Sequence, residues 1–282
     1  MASDIQPATQ PGAPARVTIA RADVGLSHAW RLFRHFFVRE LRNRFLGSFS
    51  GGLWALIQPL VQLAIYSFVF VYIFKARVPG ADAPGYVPFL LVALWPWTAF
   101  SESISRATTA IVDNAGLIGK VAMPRSVPVL AVVASSFALH TFGFVAIVLV
   151  MPLFGDPAHL AWLPLVLLVQ SMLMLLAAGF ALALSAMQVF VRDLVQVVTQ
   201  VLMLAMFAAP IFYARAAMPE WARGWIDLHP FTWYARAMRD MLLHGHAPAL
   251  VPSLVALLVA LVLLGVGSWL FHRLDPHFED FL

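Results

Sequence analysis

The sequence contains no cysteine, and only 11% of its 282 residues carry a charge. The absence of cysteine excludes disulfide bonds, thiolate metal sites and cysteine nucleophiles. The shortage of charge is matched by a hydrophobic fraction of 61%, which is more apolar surface than one soluble core can bury. Composition alone therefore predicts an integral membrane protein.

The chain also lacks a phosphate-binding loop of the G-x-x-x-x-G-K-[ST] type. A Gly-Lys pair occurs in the stretch GLIGKVA, but the motif needs Gly where Asn114 stands and Ser or Thr where Val121 stands. No set of His, Asp and Glu residues has catalytic or metal-ligand spacing. The sequence therefore predicts a protein that is not an enzyme and that itself holds no metal or cofactor.

Six windows are apolar over roughly the 20 residues that a helix needs to cross the membrane hydrocarbon. They are Leu53–Phe74, Val87–Ala110, Val127–Met151, Leu160–Gln188, Leu194–Phe212 and Leu250–Phe271. Six crossings put both termini on one side, and twelve of the 18 Lys and Arg residues then lie there, which indicates the cytoplasm. The predicted fold is an all-α domain of six transmembrane helices over residues 53–273, in which Gly179 and nearby small residues allow close packing.

Composition and periodicity also predict the segments outside these windows. Residues 1–25 are polar and rich in Pro, Ala and Gln, so we expect a disordered cytoplasmic tail. Residues 26–48 have an apolar stripe with arginines beside it, which predicts an amphipathic helix in the membrane interface. Residues 218–244 predict two short helices that re-enter the membrane from the outer side, and residues 274–282 a second cytoplasmic tail.

A polar segment, IVDNAGLIGKVAMPRSVP, separates the second window from the third. It predicts a short helix over residues 112–122 that Asp113 or Asn114 can cap. Leu117, Ile118 and Val121 form its apolar ridge, which Lys120 and Arg125 flank. From the residues alone, such a helix either docks in a groove on a partner or is an ordinary positive loop that caps the second span.

Four stretches together resemble the permease subunit of ABC exporters that transport polysaccharides such as O-antigen, capsule and teichoic acid. They are, in chain order, WALIQPLVQLAIYSFVFVYIFK, WTAFSESISRATTAIVDNAGLIGKVAMPRSVPVL, VFVRDLVQVVTQVL and HPFTWYARAMRDMLLHG. They are spread over most of the chain after Leu26 and follow the order expected for that family. The resemblance implies a type-2 ABC export permease, a multi-pass protein of the bacterial cytoplasmic (inner) membrane.

The same resemblance implies partners and a substrate. Two copies of the chain would form the pore, and two copies of a separate ABC ATPase, which binds ATP and Mg, would lie beneath them. The cargo would be a polysaccharide linked to undecaprenyl pyrophosphate, moved from the cytoplasmic to the periplasmic or outer face. Membrane lipids would also be partners, whereas nucleic acid would not.

The resemblance further suggests roles for individual residues. Coupling to the ATPase would involve Asp113, Asn114, Leu117, Ile118 and Lys120. Polar stripes on the first and fifth spans would line the pore with Gln58, Gln62, Tyr66, Gln196, Thr199 and Gln200. Guanidinium groups suit phosphate oxygens, and the lipid pyrophosphate would meet Arg39, Arg42, Arg44 and Arg125. The re-entrant helices at the exit would contribute Trp225, Trp233, Arg236 and Asp240.

Several of these assignments have a plainer alternative. Gln and Thr in membranes commonly bond helix to helix, each bond being worth roughly 1 kcal/mol. Interfacial arginines attract anionic lipids in general, by about 1 kcal/mol each. Glu102 and Arg106 form either a static pair within one helix or a pair that exchanges partners with Arg192 or Asp193. His140, alone in the third span, is expected to bond to a neighbouring helix.

Other functions are weighed against polysaccharide export. A permease of the same fold could export a smaller amphiphile, such as a drug or a lipo-oligosaccharide. A proton-driven transporter needs acidic residues in mid-membrane, and the six windows hold only Glu102, near an edge. A membrane-embedded transferase lacks clustered carboxylates or histidines. Polysaccharide export is therefore the leading prediction.

Overall fold

A computed structural model of the chain shows a bundle of helices. The structure describes residues 26–45, 51–75, 85–118, 123–155 and 158–281. The predicted tail at the N-terminus lies outside these residues. Within the described residues there is no β-strand, which agrees with the all-α prediction.

The helices follow one another with short connections. The α-helices are α1 (Leu26–Phe45), α2 (Gly51–Ser67), α3 (Tyr86–Thr108), α4 (Ala110–Asp113), α5 (Ala115–Ile118), α6 (Ser126–Val150), α7 (Leu163–Gln188), α8 (Leu194–Ala208), α9 (Glu220–Asp227), α10 (Thr232–Leu242) and α11 (Leu250–Leu274). A π-helix, Phe68–Ile73, extends α2, and 3-10 helices occupy Met151–Phe154, Leu160–Trp162, Arg215–Ala217 and Asp275–Asp280. Each of the six apolar windows coincides with one of the longer helices, because apolar stretches of this length favour helix in a membrane.

In the described part of the chain, four helical segments are long and apolar enough to cross a membrane. They are Tyr86–Thr108, Ser126–Phe154, Leu160–Gln188 and Leu250–Asp280. The first and fifth windows form shorter apolar helices, Ile57–Ile73 and Leu194–Ala208. With 15 residues, α8 is about 22 Å long, which is less than the hydrocarbon thickness of roughly 30 Å. The fold is that of an integral membrane protein, whereas six crossings with both termini inside stay a prediction.

Helix α3 defines two ends of the bundle. It has 23 residues and is about 34 Å long. Its last turns contact α1 through Arg106 and Glu40, and we call this side the α1 end. Its first turns contact α10 through Phe89 and Arg239, and we call that side the α10 end. The distribution of Lys and Arg predicts that the α1 end is cytoplasmic.

Two glycines allow α7 and α11 to touch. A Cβ atom built on Gly267 would lie 2.1 Å from the carbonyl oxygen of Gly179. A Cβ atom built on Gly179 would lie 2.6 Å from the backbone of Leu263. Side chains cannot approach backbone that closely, so the contact exists because both residues lack a Cβ atom. The close packing expected at Gly179 is confirmed.

Arg239 completes the hydrogen bonding of the chain that follows α8. Its Nη1 and Nη2 atoms donate to the carbonyl oxygens of Pro210 and Ile211 at 2.7 and 2.8 Å. Its Nε atom donates to the carbonyl oxygen of Phe89 in α3 at 3.0 Å, and its guanidinium carbon lies 3.5 Å from the centre of the Phe89 ring. One buried side chain therefore joins α10, α3 and the end of α8.

The region predicted as two re-entrant helices, residues 218–244, contains α9 and α10 joined by a tight turn. Its buried side includes Phe231, Met238 and Leu242. Arg215, which precedes α9, donates to both carboxylate oxygens of Asp227 at 2.8 and 2.5 Å. This hydrogen bonding lowers the pKa of the Asp227 carboxyl and fixes the end of α9 to the chain that leaves α8.

The residues after α11 fold back onto the bundle. Phe278, in the 3-10 turn Asp275–Asp280, is fully buried. Its ring centre lies 5.5 Å from that of Phe271 in α11 and 6.1 Å from that of Phe190, which follows α7. The segment expected as a tail over residues 274–282 is thus ordered over this turn, because its phenylalanine completes an aromatic cluster.

We expect Gly267→Ala to destabilise the bundle, because its methyl group would overlap the carbonyl of Gly179. Overpacking of this kind costs typically about 1–3 kcal/mol. Gly265→Ala in the same helix is the matched control, since a Cβ atom there meets no atom within 4 Å. Thermal unfolding of the purified variants in detergent checks the difference, and equal midpoints would contradict the close contact.

Candidate functional site

A buried polar cluster lies where α1, α3 and α6 meet at the α1 end. Arg44 Nη2 lies 2.7 Å from Oε1 of Glu102, and His140 Nε2 lies 2.6 Å from Oε2 of the same carboxylate. Arg44 also donates to the hydroxyl of Ser136 at 2.6 Å. The side chains of Arg44 and His140 are 5% and 0% exposed, and Glu102 is the polar contact that they share inside the bundle. The bond expected from His140 to another helix is confirmed.

A second layer links this cluster to the chain that follows α3. Glu40 of α1 accepts from Arg106 of α3 at 3.2 Å and from its neighbour Arg39 at 3.4 Å. Arg39 also donates to Oδ1 of Asn114, between α4 and α5, at 2.6 Å. We call the whole set the polar network: Arg39, Glu40, Arg44, Glu102, Arg106, Asn114, Ser136 and His140. It runs continuously from the α4–α5 segment into the bundle.

Charge pairing attaches α1 to the bundle in addition to apolar contacts. Phe36 of α1 packs with Val127 and Ala131 of α6. Ionisable groups at membrane depth are costly unless they are paired. Removing one member of a buried pair leaves the other uncompensated, which typically costs about 3–5 kcal/mol. The position of α1 therefore depends on both carboxylates of the polar network.

The sequence spacing pointed to a pair within α3, between Glu102 and Arg106. In the structure Arg106 Nε lies 4.0 Å from Glu102, which is longer than the contact of Glu102 with Arg44. Arg192 and Asp193, considered as exchange partners, are exposed in the turn before α8. Helical spacing identified Glu102 as important but missed Arg44, since no local pattern relates two positions on different helices.

The coupling helix predicted over residues 112–122 is interrupted. The short helices α4 and α5 are separated by Asn114, which was expected to cap one helix. Its Nδ2 atom instead donates back to the carbonyl of Ala110 at 2.7 Å, while its oxygen accepts from α1. Asp113 accepts from the Thr109 hydroxyl at 2.7 Å. Both side chains therefore hold the segment in place instead of capping it.

The α4–α5 segment exposes two apolar side chains. Leu117, predicted to face a partner, is exposed, and so is Val112, which the sequence reasoning did not name. The side chain of Ile118 and the whole of Lys120 lie outside the described residues. The exposed apolar surface of this segment is therefore carried, as far as it is described, by Val112 and Leu117.

Arg44 and Arg125, two of the four arginines predicted to bind pyrophosphate, are mostly buried and paired within the chain. Arg44 is buried in the polar network. Arg125 donates to the carbonyl oxygen of Asp275 at 2.6 Å, to its carboxylate at 3.2 Å and to the carboxylate of Glu279. Both pairings are long-range contacts, which the local sequence did not reveal.

The other two arginines border a basic groove of about 880 Å³. Arg42 is exposed, and Arg39 is 40% exposed in spite of its bond to the α4–α5 segment. The groove lies between α1 and the chain on either side of residues 119–122. Its described lining includes Arg31, Arg34, His35, Arg39, Arg42, Leu117 and Met123.

The two stripes predicted to line a pore lie on α2 and α8, which both pack against α3. Gln58, Gln196, Thr199 and Gln200 are exposed, while Gln62 and Tyr66 are half-buried. Gln62 donates to the Tyr66 hydroxyl at 3.4 Å, and Thr199 donates to its own helix at 2.9 Å. The pore-lining role of both stripes stays a prediction.

The opposite face of α8 borders an apolar cavity of about 300 Å³. Helical spacing places Leu194, Val198, Val201 and Ala205, which line the cavity, opposite Gln196, Thr199 and Gln200. Aromatic residues from other helices close the cavity: Trp97, Phe100, Phe180 and Phe231. Helix α8 therefore carries its Gln and Thr side chains on the side away from this cavity, where Met203 and Phe207 are also exposed.

The residues predicted at the exit are mostly at the surface. Trp225 is 75% exposed and Arg236 is exposed, whereas Trp233 and Asp240 are partly covered. Asp240 and Arg236 share a helix face by spacing, but the described ion contact of Asp240 is with His244, at 3.9 Å.

The sequence reasoning missed Arg239, which is buried and organises the α10 end. The sequence did contain a signal for its burial. Arg239 falls on the stripe of α10 that also carries Ala235, Met238 and Leu242, all of them buried. An arginine on the apolar face of a short amphipathic helix indicates a buried cation that needs acceptors.

Comparison with known proteins completes these observations. Residues 31–243 match the model of the ABC-2 type transporter family. The chain is 27% identical to the O-antigen export system permease protein RfbA of Klebsiella pneumoniae, over 86% of this chain and 92% of that protein. It is 28% identical to RfbA of Myxococcus xanthus, with the same coverage. It is 25% identical to the polysialic acid transport protein KpsM of Escherichia coli, over 83% of this chain and 90% of that protein.

The family model covers α2 to α10 completely, together with most of α1, and so includes the polar network, the α4–α5 segment and the buried Arg239. The apolar helices and this match together identify a multi-pass protein of the inner membrane. Since the matched region is well over half of the sequence, the chain belongs to the ABC-2 type transporter family.

Proposed function

We propose that the chain is the permease subunit of an ATP-driven exporter of lipid-linked polysaccharide. The cargo is an O-antigen-like chain on undecaprenyl pyrophosphate, moved from the cytoplasmic face of the inner membrane to the periplasmic or outer face. The named relatives support a polysaccharide cargo, because they align over 83–86% of the chain. The observation that carries the coupling role is the hydrogen bond between Asn114 of the α4–α5 segment and Arg39 of the polar network.

In this proposal ATP is hydrolysed by another chain. Two copies of an ABC ATPase bind ATP and Mg at the cytoplasmic side, because this sequence has no phosphate-binding loop. Val112 and Leu117 are the apolar contacts offered to the ATPase. A displacement of the α4–α5 segment reaches α1 through Arg39, and reaches α3 because Arg39 and Arg106 both bond to Glu40.

The conduit is formed between two copies of the chain. In the single chain, α2 and α8 have exposed faces that mix apolar side chains with the two polar stripes. A second copy facing them encloses the exposed Gln58, Gln196 and Gln200 in a channel. Such a wall suits a polysaccharide, because amide groups both donate to and accept from sugar hydroxyls.

The pyrophosphate of the carrier binds in the basic groove beside α1. Arg42 and the exposed part of Arg39 supply guanidinium donors at headgroup depth, where they match phosphate oxygens. We assign no phosphate contact to Arg44 and Arg125, since both are mostly buried and paired within the chain. On the other side of the membrane, α9 and α10 border the exit, with Trp225 and Trp233 towards the boundary of water and lipid.

Deleting the gene tests the function directly. We expect the cells to lose surface polysaccharide and to accumulate lipid-linked chains inside, because synthesis continues while export stops. Gel electrophoresis of surface glycans and mass spectrometry of lipid extracts measure both effects, and the wild-type gene supplied in trans is the control. Unchanged surface glycan with greater sensitivity to amphiphilic compounds would favour the second candidate, an exporter of smaller amphiphiles.

The contact with the ATPase is tested by Val112→Asp combined with Leu117→Asp. Two new carboxylates in an apolar contact should reduce the ABC ATPase that co-purifies with the chain by about tenfold or more. Leu228→Asp, which changes a still more exposed leucine towards the other end of the bundle, is the control and should retain the ATPase. Normal recovery of the ATPase with the double variant would refute this docking surface.

The polar network is tested by Glu102→Gln. We expect a lower midpoint of thermal unfolding and weaker export, because the buried Arg44 loses its countercharge, at a cost of up to about 3–5 kcal/mol. Adding Arg44→Met should recover part of the stability, since the uncompensated cation is then removed. Wild-type stability of Glu102→Gln would show that the pair does not hold α1.

A further inference from the structure

Arg125 occupies a position that the proposed function does not yet use. It lies immediately before α6, where the chain returns from the α4–α5 segment to the bundle. Its Nη1 atom donates to the backbone and the carboxylate of Asp275 at 2.6 and 3.2 Å, and its Nη2 atom donates to Glu279. The side chains of Arg125 and Asp275 are 17% and 18% exposed, so their contact is shielded from water and is stronger than an open surface pair, whereas Glu279 is exposed.

The turn that receives Arg125 is itself firmly attached. Phe278, at its centre, is fully buried and contacts the rings of Phe271 and Phe190. The guanidinium carbon of Arg125 lies 6.0 Å from the centre of the Phe278 ring. Phe190 also contacts Phe281, with 4.9 Å between ring centres. The turn therefore joins α11, the connection between α7 and α8, and the start of α6.

The connection from α3 to α6 is thus held near both of its ends. Near its beginning Asn114 bonds to Arg39, and at its end Arg125 bonds to Asp275 and Glu279. A guanidinium group presents several N–H donors in a fixed plane, so it can keep three bonds at once in one orientation. A displacement of the segment between these points must therefore be passed to both anchors.

We propose that Arg125 is a positioning residue for transport. Together with the turn Asp275–Asp280 it fixes the end of the coupling connection to α11, and through the contact of Gly179 and Gly267 to α7. ATP-driven motion of the connection then reaches α7 and α11 by this route, while the polar network carries it to α1, α3 and α6. The proposal rests on the proposed function, since it needs an ATPase that moves the segment.

The test compares Arg125→Gln with wild type in the complete exporter, reconstituted in proteoliposomes with its ABC ATPase and a lipid-linked glycan from the host. The measured quantity is the amount of glycan exported per ATP hydrolysed. We expect this ratio to fall by about fivefold or more while ATP hydrolysis stays within about twofold of wild type. Arg125→Lys should restore at least about half of the ratio, because a lysine keeps the charge at Asp275 and Glu279.

Arg273→Gln is the matched control. This variant removes an arginine that lies two residues before Asp275. The described contact of Arg273 is with the ring of Trp269, at 5.5 Å, so the ratio should stay unchanged. Glu279→Gln removes the exposed partner of Arg125. It therefore tests the same contact even if Arg125→Gln fails to fold. We expect it to lower the ratio in the same direction and by less, because Asp275 still holds Arg125.

Three results would overturn the proposal. The first is a normal ratio in Arg125→Gln or, if that variant does not fold, in Glu279→Gln. The second is an equal loss in Arg273→Gln. The third is a parallel loss of export and ATP hydrolysis that leaves the ratio intact, since that would mean a purely structural role. A wild-type complex that exports no glycan would refute the proposed function instead, so the two failures are distinguishable.

Discussion

Backbone carbonyl groups that lose their helical partners inside a membrane must find other donors, because no water is available there. The fold depends on the donors that these carbonyl groups find where α8 ends. Arg239 donates to Pro210 and Ile211, and the Tyr86 hydroxyl donates to Phe212 at 2.7 Å. The charge of Arg239 is met by carbonyl dipoles and by an aromatic ring. One buried cation thus allows α8 to be shorter than the membrane and fixes α10 against α3.

The two ends of the bundle use different chemistry for their buried arginines. At the α10 end the acceptors of Arg239 are backbone atoms, whose positions are fixed by the fold. At the α1 end Arg44 and Arg106 meet the carboxylates of Glu102 and Glu40. Side-chain ion pairs can change partners or protonation without unfolding a helix, whereas backbone acceptors cannot. The buried ion pairs that can change partners therefore lie at the α1 end, whereas the acceptors of Arg239 at the α10 end are fixed backbone atoms.

The sequence predicted the helices well and their contacts poorly. The apolar windows matched the helices because hydropathy and length are local properties, and Gly179 was identified because small residues are needed for close packing. The interruption at Asn114, the engagement of Arg125 and the folded turn after α11 each depend on a contact between residues 75 or more positions apart. Arg239 was also missed, although its place on the apolar face of α10 indicated burial.

Helix α3 contacts the helices at both ends of the bundle, α1 through Arg106 and α10 through Phe89. It is buried along most of its length, so a displacement applied at Arg106 is resisted by neighbours on every side. Pro96 lies midway along α3 and interrupts its hydrogen bonding, because proline has no N–H group to donate. The indole of Trp95 donates to the carbonyl of His140 at 3.0 Å and so braces α3 against α6 beside that proline. Because His140 also contacts Glu102, the brace and the polar network share one residue. The helices α3 and α6 are therefore joined around His140 by two contacts, one beside the proline of α3 and one in the polar network.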